Sequence, residues 1–108
     1  MATFHIKEDD ESPTVQTTLQ DSAGAAVNVS GSTIVLRMAR IGATGRTIDN
    51  ATVTQDDAAN GVVSYQFSDT ETANHGIYRM EWVVTYSGGR QETFPNEGYD
   101  IVQIEKSL

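Results

Sequence analysis

Along residues 76–86 apolar and polar side chains alternate. Tyr78, Met80, Trp82, Val84 and Tyr86 fall on one side, Arg79 and Glu81 on the other. A period of two marks a strand with one buried and one wet face. The pattern recurs in shorter runs. Residues 3–7 place Phe4 and Ile6 together, with His5 opposite, and 13–19 place Val15, Thr17 and Leu19 together behind Pro13. Residues 32–40 set Ile34, Leu36 and Met38 against Val35, Arg37 and Ala39; residues 62–67 set Val63, Tyr65 and Phe67 against Ser64 and Gln66. Further strands are predicted at 46–49, 51–55, 90–94 and 99–105, the last with Val102 and Ile104 inward, and 25–29 reads as a short extended piece.

Between the runs lie turn residues: Asp21 to Gly24, Asn60-Gly61, Ser87-Gly88-Gly89, and 95–98. Asp bonds its own backbone in turns and Gly supplies positive φ. The one helix candidate, 69–75, is a single turn at most, and no internal repeat is evident. Frequent turns without a sustained helical period predict an all-β sandwich. With 108 residues, one domain over 1–108 is expected.

Composition narrows the chemistry. There is no Cys, which excludes a disulfide scaffold, a thiolate metal site and a Cys nucleophile. No apolar run is long enough to span a bilayer, and polar sequence follows Met1 directly, so neither membrane insertion nor a signal peptide is expected. The formal charge is −8, with five Arg and only two Lys, Lys7 and Lys106. Such a surface repels phosphate backbones, so no nucleic-acid partner is expected. It is compatible with a high-salt organism, and equally with ordinary colloidal solubility.

Candidate catalytic and metal residues are few. Glu8, Asp9, Asp10 and Glu11 are adjacent carboxylates without the spacing or Gly of a calcium loop, and read as a solvated loop. Asp56, Asp57 and Asn60 read as a polar turn for the same reason. His5 and His75 stand outside any Gly-x-Ser-x-Gly or His-Glu-x-x-His motif. The chain is expected not to be an enzyme and to need no cofactor or metal. Tyr86, Phe94 and Tyr99 are expected to gather near one end of the sandwich. Packing is the favoured reading there, and an exposed patch would make them an interface candidate.

Asn74-His75-Gly76-Ile77-Tyr78-Arg79-Met80 resembles the Asp-x-Gly-x-Tyr-x-Cys corner of immunoglobulin-like domains, with Asn for Asp and Met for Cys. The resemblance implies a structural corner at Asn74, Gly76 and Tyr78, the tyrosine hydroxyl bonding nearby backbone. It implies an immunoglobulin-like antiparallel sandwich of about seven to nine strands.

A second resemblance runs over nearly the whole chain. Its residues are Phe4-x-Ile6, an acidic loop, Pro13, Leu19-x-Asp21-x-x-Gly24, Val27-x-Val29-x-Gly31 and Val35-Leu36-Arg37-Met38. Gly61-Val62-Val63-x-Tyr65-x-Phe67, Asp69-Thr70, Gly76-Ile77-Tyr78, Gly88-Gly89, Thr93-x-Pro95 and Gly98-Tyr99-x-Ile101 complete it. In this order and spacing they resemble the N-terminal domain of the baseplate upper protein family of tailed viruses. The resemblance implies a virion structural module at the tail, baseplate, neck or capsid surface. Its partners would be other virion proteins and further copies of itself, and it carries no catalytic residues. The alternative is a carbohydrate- or host-receptor-binding sandwich using the loops near Gly42, Gly88 and Pro95.

Overall fold

A computed structural model describes residues 3–108. Nine strands form two facing sheets, an open all-β sandwich with no α-helix among the described residues. The larger sheet holds β1 (Thr3–Lys7), β3 (Thr33–Arg40), β4 (Ile48–Thr52), β7 (Gly76–Thr85), β8 (Gln91–Phe94) and β9 (Asp100–Glu105). Its order is β1-β9-β7-β3-β4, with β8 also on β7. The smaller sheet holds β2 (Val15–Thr18), β5 (Thr54–Asp57) and β6 (Val62–Tyr65), in the order β2-β6-β5. β1 runs parallel to β9, departing from the all-antiparallel expectation; every other strand pair among the described residues is antiparallel.

β7 is the spine, as its alternation predicts. It pairs with β3 from Thr33–Thr85 to Arg40–Tyr78. On its other edge β9 covers the first half and β8 the second. Trp82 faces Phe94 and Met80 faces Asp100, so two steps along β7 use six residues of this edge. Four residues, 95–98, are looped out. Pro95 has no N–H to give the ladder, which is why the edge breaks there.

Inward side chains from both sheets form one core. The larger sheet supplies Leu36, Met38, Met80, Trp82, Val84 and Val102, the smaller Val15 and Val63, and flanking segments add Leu19 and Phe67. At about 25 cal/mol per Å² of buried apolar surface, these side chains dominate the drive to fold. The indole N–H of Trp82 donates to Asp100 Oδ2 at 3.1 Å, so its polar edge is satisfied within the core.

Two predicted pieces differ. Residues 25–29 form no strand: a single bridge joins Gln20 to Ala26, and backbone bonds from Val27 to Leu19 and from Val29 to Ala58 hold the segment as a mostly exposed loop anchored by buried Val29. The break placed between 46–49 and 51–55 falls at Val53 instead. Asn50, at φ 62°, is an extra residue opposite Leu36 and Arg37, so β4 bulges and continues. Asn tolerates this left-handed conformation, which makes a mid-strand position look like a turn. At Val53 the chain crosses from β4 in one sheet to β5 in the other.

The turn expected at 56–61 begins later: β5 runs through Asp57, and one turn of 3-10 helix, Ala58–Asn60, follows, ended by Gly61 at φ 72°. A Cβ on Gly61 would lie 2.7 Å from the Val27 carbonyl oxygen and 2.9 Å from that of Leu19, so no other residue fits. The polar crossover at 68–75 forms turns and no helix. Its Thr72 is buried, donating its hydroxyl to the Asp10 carbonyl at 2.8 Å.

Candidate functional site

The corner before β7 is built by three residues. Tyr78 is 2% exposed, and its hydroxyl donates to the Asn74 carbonyl at 2.7 Å. Burial raises the phenol pKa, and the Arg40 cation opposes that rise. Gly76 stands at φ 149°, and a Cβ there would lie 2.7 Å from Arg40 Nε. The glycine thus leaves room for the Arg40 side chain to cross the corner. This arrangement orders backbone and presents no reactive group.

The aromatic trio does not assemble. Phe94 is 1% exposed, packed in the core beside Trp82, so its place in an exposed patch is corrected. Tyr86 is half-buried on the same inward side; its hydroxyl donates to Glu92 Oε1 at 2.6 Å. Burial and that carboxylate push its pKa up to about 12. Tyr99 is 37% exposed and lies on the opposite, outer side of the sheet. Because four residues, an even number, are looped out before β9, facing is preserved along the edge. Phe94 and Asp100 both point in, and Tyr99 points out.

The histidines each meet a carboxylate. His5 Nδ1 is 3.2 Å from Glu105 Oε1, and His75 Nδ1 is 3.0 Å from Glu8 Oε2. Glu8 ties three segments together: it also accepts from the backbone N–H of Ser107 at 3.0 Å and of His75 at 3.2 Å. The Ser107 N–H, then the His75 side chain, lower the Glu8 pKa. Asp57 Oδ2 accepts from the Asn60 amide at 2.9 Å, a bond that closes the 3-10 turn.

Two of the surface grooves among the described residues bear on binding. The larger, about 350 Å³, lies between the end of β2 and the loop after β8, lined by Thr17, Gln20, Asp21, Pro95, Asn96 and Glu97 among others. It offers hydroxyls, amides and carboxylates suited to hydrogen-bonding a polar ligand. The smaller, about 160 Å³, lies on the outer face of the larger sheet. Arg37, Arg46, Arg79, Glu81 and Tyr99 line it. The Arg79 guanidinium stacks 5.0 Å from the Tyr99 ring centroid, a cation–π contact. Arg37 donates to Asn50 Oδ1 at 2.8 Å, and Arg46 to Asp49 Oδ1 at 2.6 Å.

That outer face also carries exposed apolar surface. Ile77 on β7 is 46% exposed, and Ile41, just past β3, is 52% exposed and donates its backbone N–H to the Ile77 carbonyl. Val83 is buried on this same side, flanked in register by Val35 and Thr93 and outside the main core. The face was missed at the level of sequence. Its signal was present: Arg37, Arg79 and Glu81 all occupy outward positions of strands that prove to be neighbours. What the residue pattern did not give was the pairing of β3 with β7. Comparison with known proteins adds no name to these features: no protein-family model matches the chain, and no curated sequence is significantly similar to it.

Proposed function

We propose that this chain is a structural protein of a tailed-virus particle, working by protein–protein assembly at the tail, baseplate, neck or capsid surface. The observation that carries the reading is the outer face of the larger sheet. It groups Ile41, Ile77 and Tyr99 with a cluster of arginines, the residue types that anchor protein contacts. The whole-chain resemblance to baseplate upper proteins supplies the kind of assembly. Its partners are other virion proteins and further copies of the chain, with no nucleic acid and no catalysis.

An immunoglobulin-like scaffold is part of this proposal. The orders β1-β9-β7-β3-β4 and β2-β6-β5 correspond to a CFG sheet extended by neighbours and to a sheet with the B-E-D order of such sandwiches. The Tyr78 bond to Asn74 supports the same reading, because it matches the tyrosine corner near the start of strand F, the place β7 takes. Mass spectrometry of purified particles tests the function: the protein should be found in stoichiometric amount, and its absence would overturn the proposal.

The polar groove beside Pro95 favours a second reading, a carbohydrate- or host-receptor-binding module. Glycan-array binding abolished by Asn96→Ala and Glu97→Ala would support it; no binding to any glycan would remove it.

A further inference from the structure

The β2 edge of the smaller sheet is built differently from the other sheet edges. Leu19 donates its backbone N–H to the Gly61 carbonyl at 2.8 Å, and the register sets Val15 against Tyr65 and Thr17 against Val63. Backbone groups of successive residues point to opposite edges of a strand. Those of Val15, Thr17 and Leu19 therefore face β6, and those of Gln16 and Thr18 face away from it. Gln20 continues the row, because the backbone bonds around its bridge to Ala26 belong to Leu19 and Asp21. Gln16, Thr18 and Gln20 are exposed, and no strand lies beside them among the described residues.

Proteins guard such rows with charges, prolines and bulges, because an unpaired edge is a template for another strand. The other edges here are guarded. β1 carries Lys7, β4 carries Asp49 and bulges at Asn50, β5 carries Asp56 and Asp57, and β8 carries Glu92 and runs into Pro95. β2 has no charged residue, no proline and an unbroken register.

Two grooves follow one another along this bare edge, sharing Thr17 and Asp100. One is the groove beside Pro95, whose charged lining residues are Asp21, Glu97 and Asp100. The other, about 90 Å³, is lined by Val15, Phe4, Met80 and Ile101 among others. No Lys, Arg or His lines either groove among the described residues.

We infer that β2 accepts an added strand from a partner protein, and that this strand is an extended basic segment. Main-chain bonds to Gln16, Thr18 and Gln20 hold it. Its residues opposite Val15 and Leu19 point inward, as those two do. The first enters the apolar groove and the second meets the carboxylates. Recognition therefore needs a small apolar residue and a Lys or Arg, four positions apart. Pairing β2 with the β2 of a second copy would bring two carboxylate-lined grooves together in a chain of net charge −8, whereas a basic segment neutralises them. The inference deepens the assembly reading above and rests on it for the kind of partner.

Two short peptides serve as probes, acetyl-Thr-Arg-Thr-Thr-Thr-Val-Thr-amide and its reverse, which together cover both strand directions. Titration of isotope-labelled protein with about 50 μM to about 5 mM peptide, followed by NMR, covers the affinities expected of one short strand. At least one peptide should shift the amides of Gln16, Thr18 and Gln20 and slow their exchange with solvent. Replacing its Arg by Glu should weaken binding at least about tenfold. Asp21→Asn with Glu97→Gln should remove that preference; the Asn keeps the oxygen that accepts from Ala23 and Ala25. Thr18→Pro removes an outward N–H without touching the β6 ladder, and should abolish binding. The NMR spectrum of each variant shows whether it is folded, and if the proline variant is not, the carboxylate variant decides alone. No shift at β2 from either peptide would overturn the inference. So would a preference for Arg that survives the Asp21 and Glu97 substitutions, or a groove that binds an arrayed glycan but neither peptide. Self-association of the protein alone that Thr18→Pro removes would assign the edge to a second copy, and would overturn it too. Absence from purified particles, by contrast, would overturn the virion placement and leave a positive titration standing.

Discussion

Replacing Tyr78 by Phe deletes one oxygen and leaves the ring in place. The lost group is the hydroxyl that donates to the Asn74 carbonyl at 2.7 Å from a side chain 2% exposed. A neutral intramolecular hydrogen bond contributes about 1 kcal/mol net, and a buried acceptor left unpaired costs about 1–3 kcal/mol. Asn74 is itself exposed, so water can reach its carbonyl and the cost stays near the lower figure. For a chain of this size, about 1 kcal/mol lowers the midpoint by about 4 °C. Calorimetry and urea titration at pH 7 measure it, with the urea slope unchanged because the same surface is exposed on unfolding.

The pH dependence provides a second reading, of the burial of the same hydroxyl. Burial favours the neutral phenol, so the folded state holds the Tyr78 proton more tightly than the unfolded chain. The resulting stability is complete below the ordinary tyrosine pKa and is lost as pH rises through the raised one. Tyr65 and Tyr86 are shifted in the same direction, so the wild type should lose stability steeply on the alkaline side. Tyr78→Phe should lose less over that interval. A variant with the wild-type midpoint at pH 7 and the wild-type alkaline slope would refute the argument that this hydroxyl fastens the corner.

Other expectations concern the backbone, the core and the acid side. Gly61→Ala combines a left-handed φ with overlap against two backbone carbonyls, and should cost about 3 kcal/mol in urea titration; a neutral result would refute the close approach. Asp100→Leu strands the Trp82 indole N–H in the core and should cost about 1–3 kcal/mol, with a change in tryptophan emission as the second readout. The lowered Glu8 pKa means its contribution is present above the ordinary carboxylate pKa and lost as pH falls through the lowered one. Glu8→Gln should therefore flatten the acid limb of midpoint against pH, and an unchanged limb would refute the role of its bonds to His75 and Ser107.

How far the residues alone disclose this molecule depends on which period they carry. β1, β3, β7 and β9 keep apolar residues at alternate, inward positions, and each lies within one residue of where it is predicted. β4 and β5 do not, because Asn50 takes a left-handed conformation inside a strand and Val53 switches sheets, and neither event leaves a mark in a hydrophobic count. The split of the aromatic trio, with Phe94 packed as favoured and Tyr99 outside, has a related reason. Phe94 and Tyr99 look alike in sequence, but facing depends on the register of their edge against β7, which is long-range information. Val83 sits at an outward position yet is buried, since its cross-strand neighbours, not its own strand, determine what covers it. The arginine groove was hidden likewise: Arg37, Arg46 and Arg79 come from separate segments, joined only through pairing.

The parallel pairing of β1 with β9 has a mechanical consequence. Residues Thr3 to Lys7 run alongside Ile101 to Glu105 in one direction. Tension that pulls the start of β1 away from the finish of β9 acts along both strands in opposite senses. It loads the rungs between them together, in shear, instead of opening them one by one as in a zipper. A chain strained this way should yield abruptly at high force, and should creep when the same load is applied across the β7–β8 hairpin.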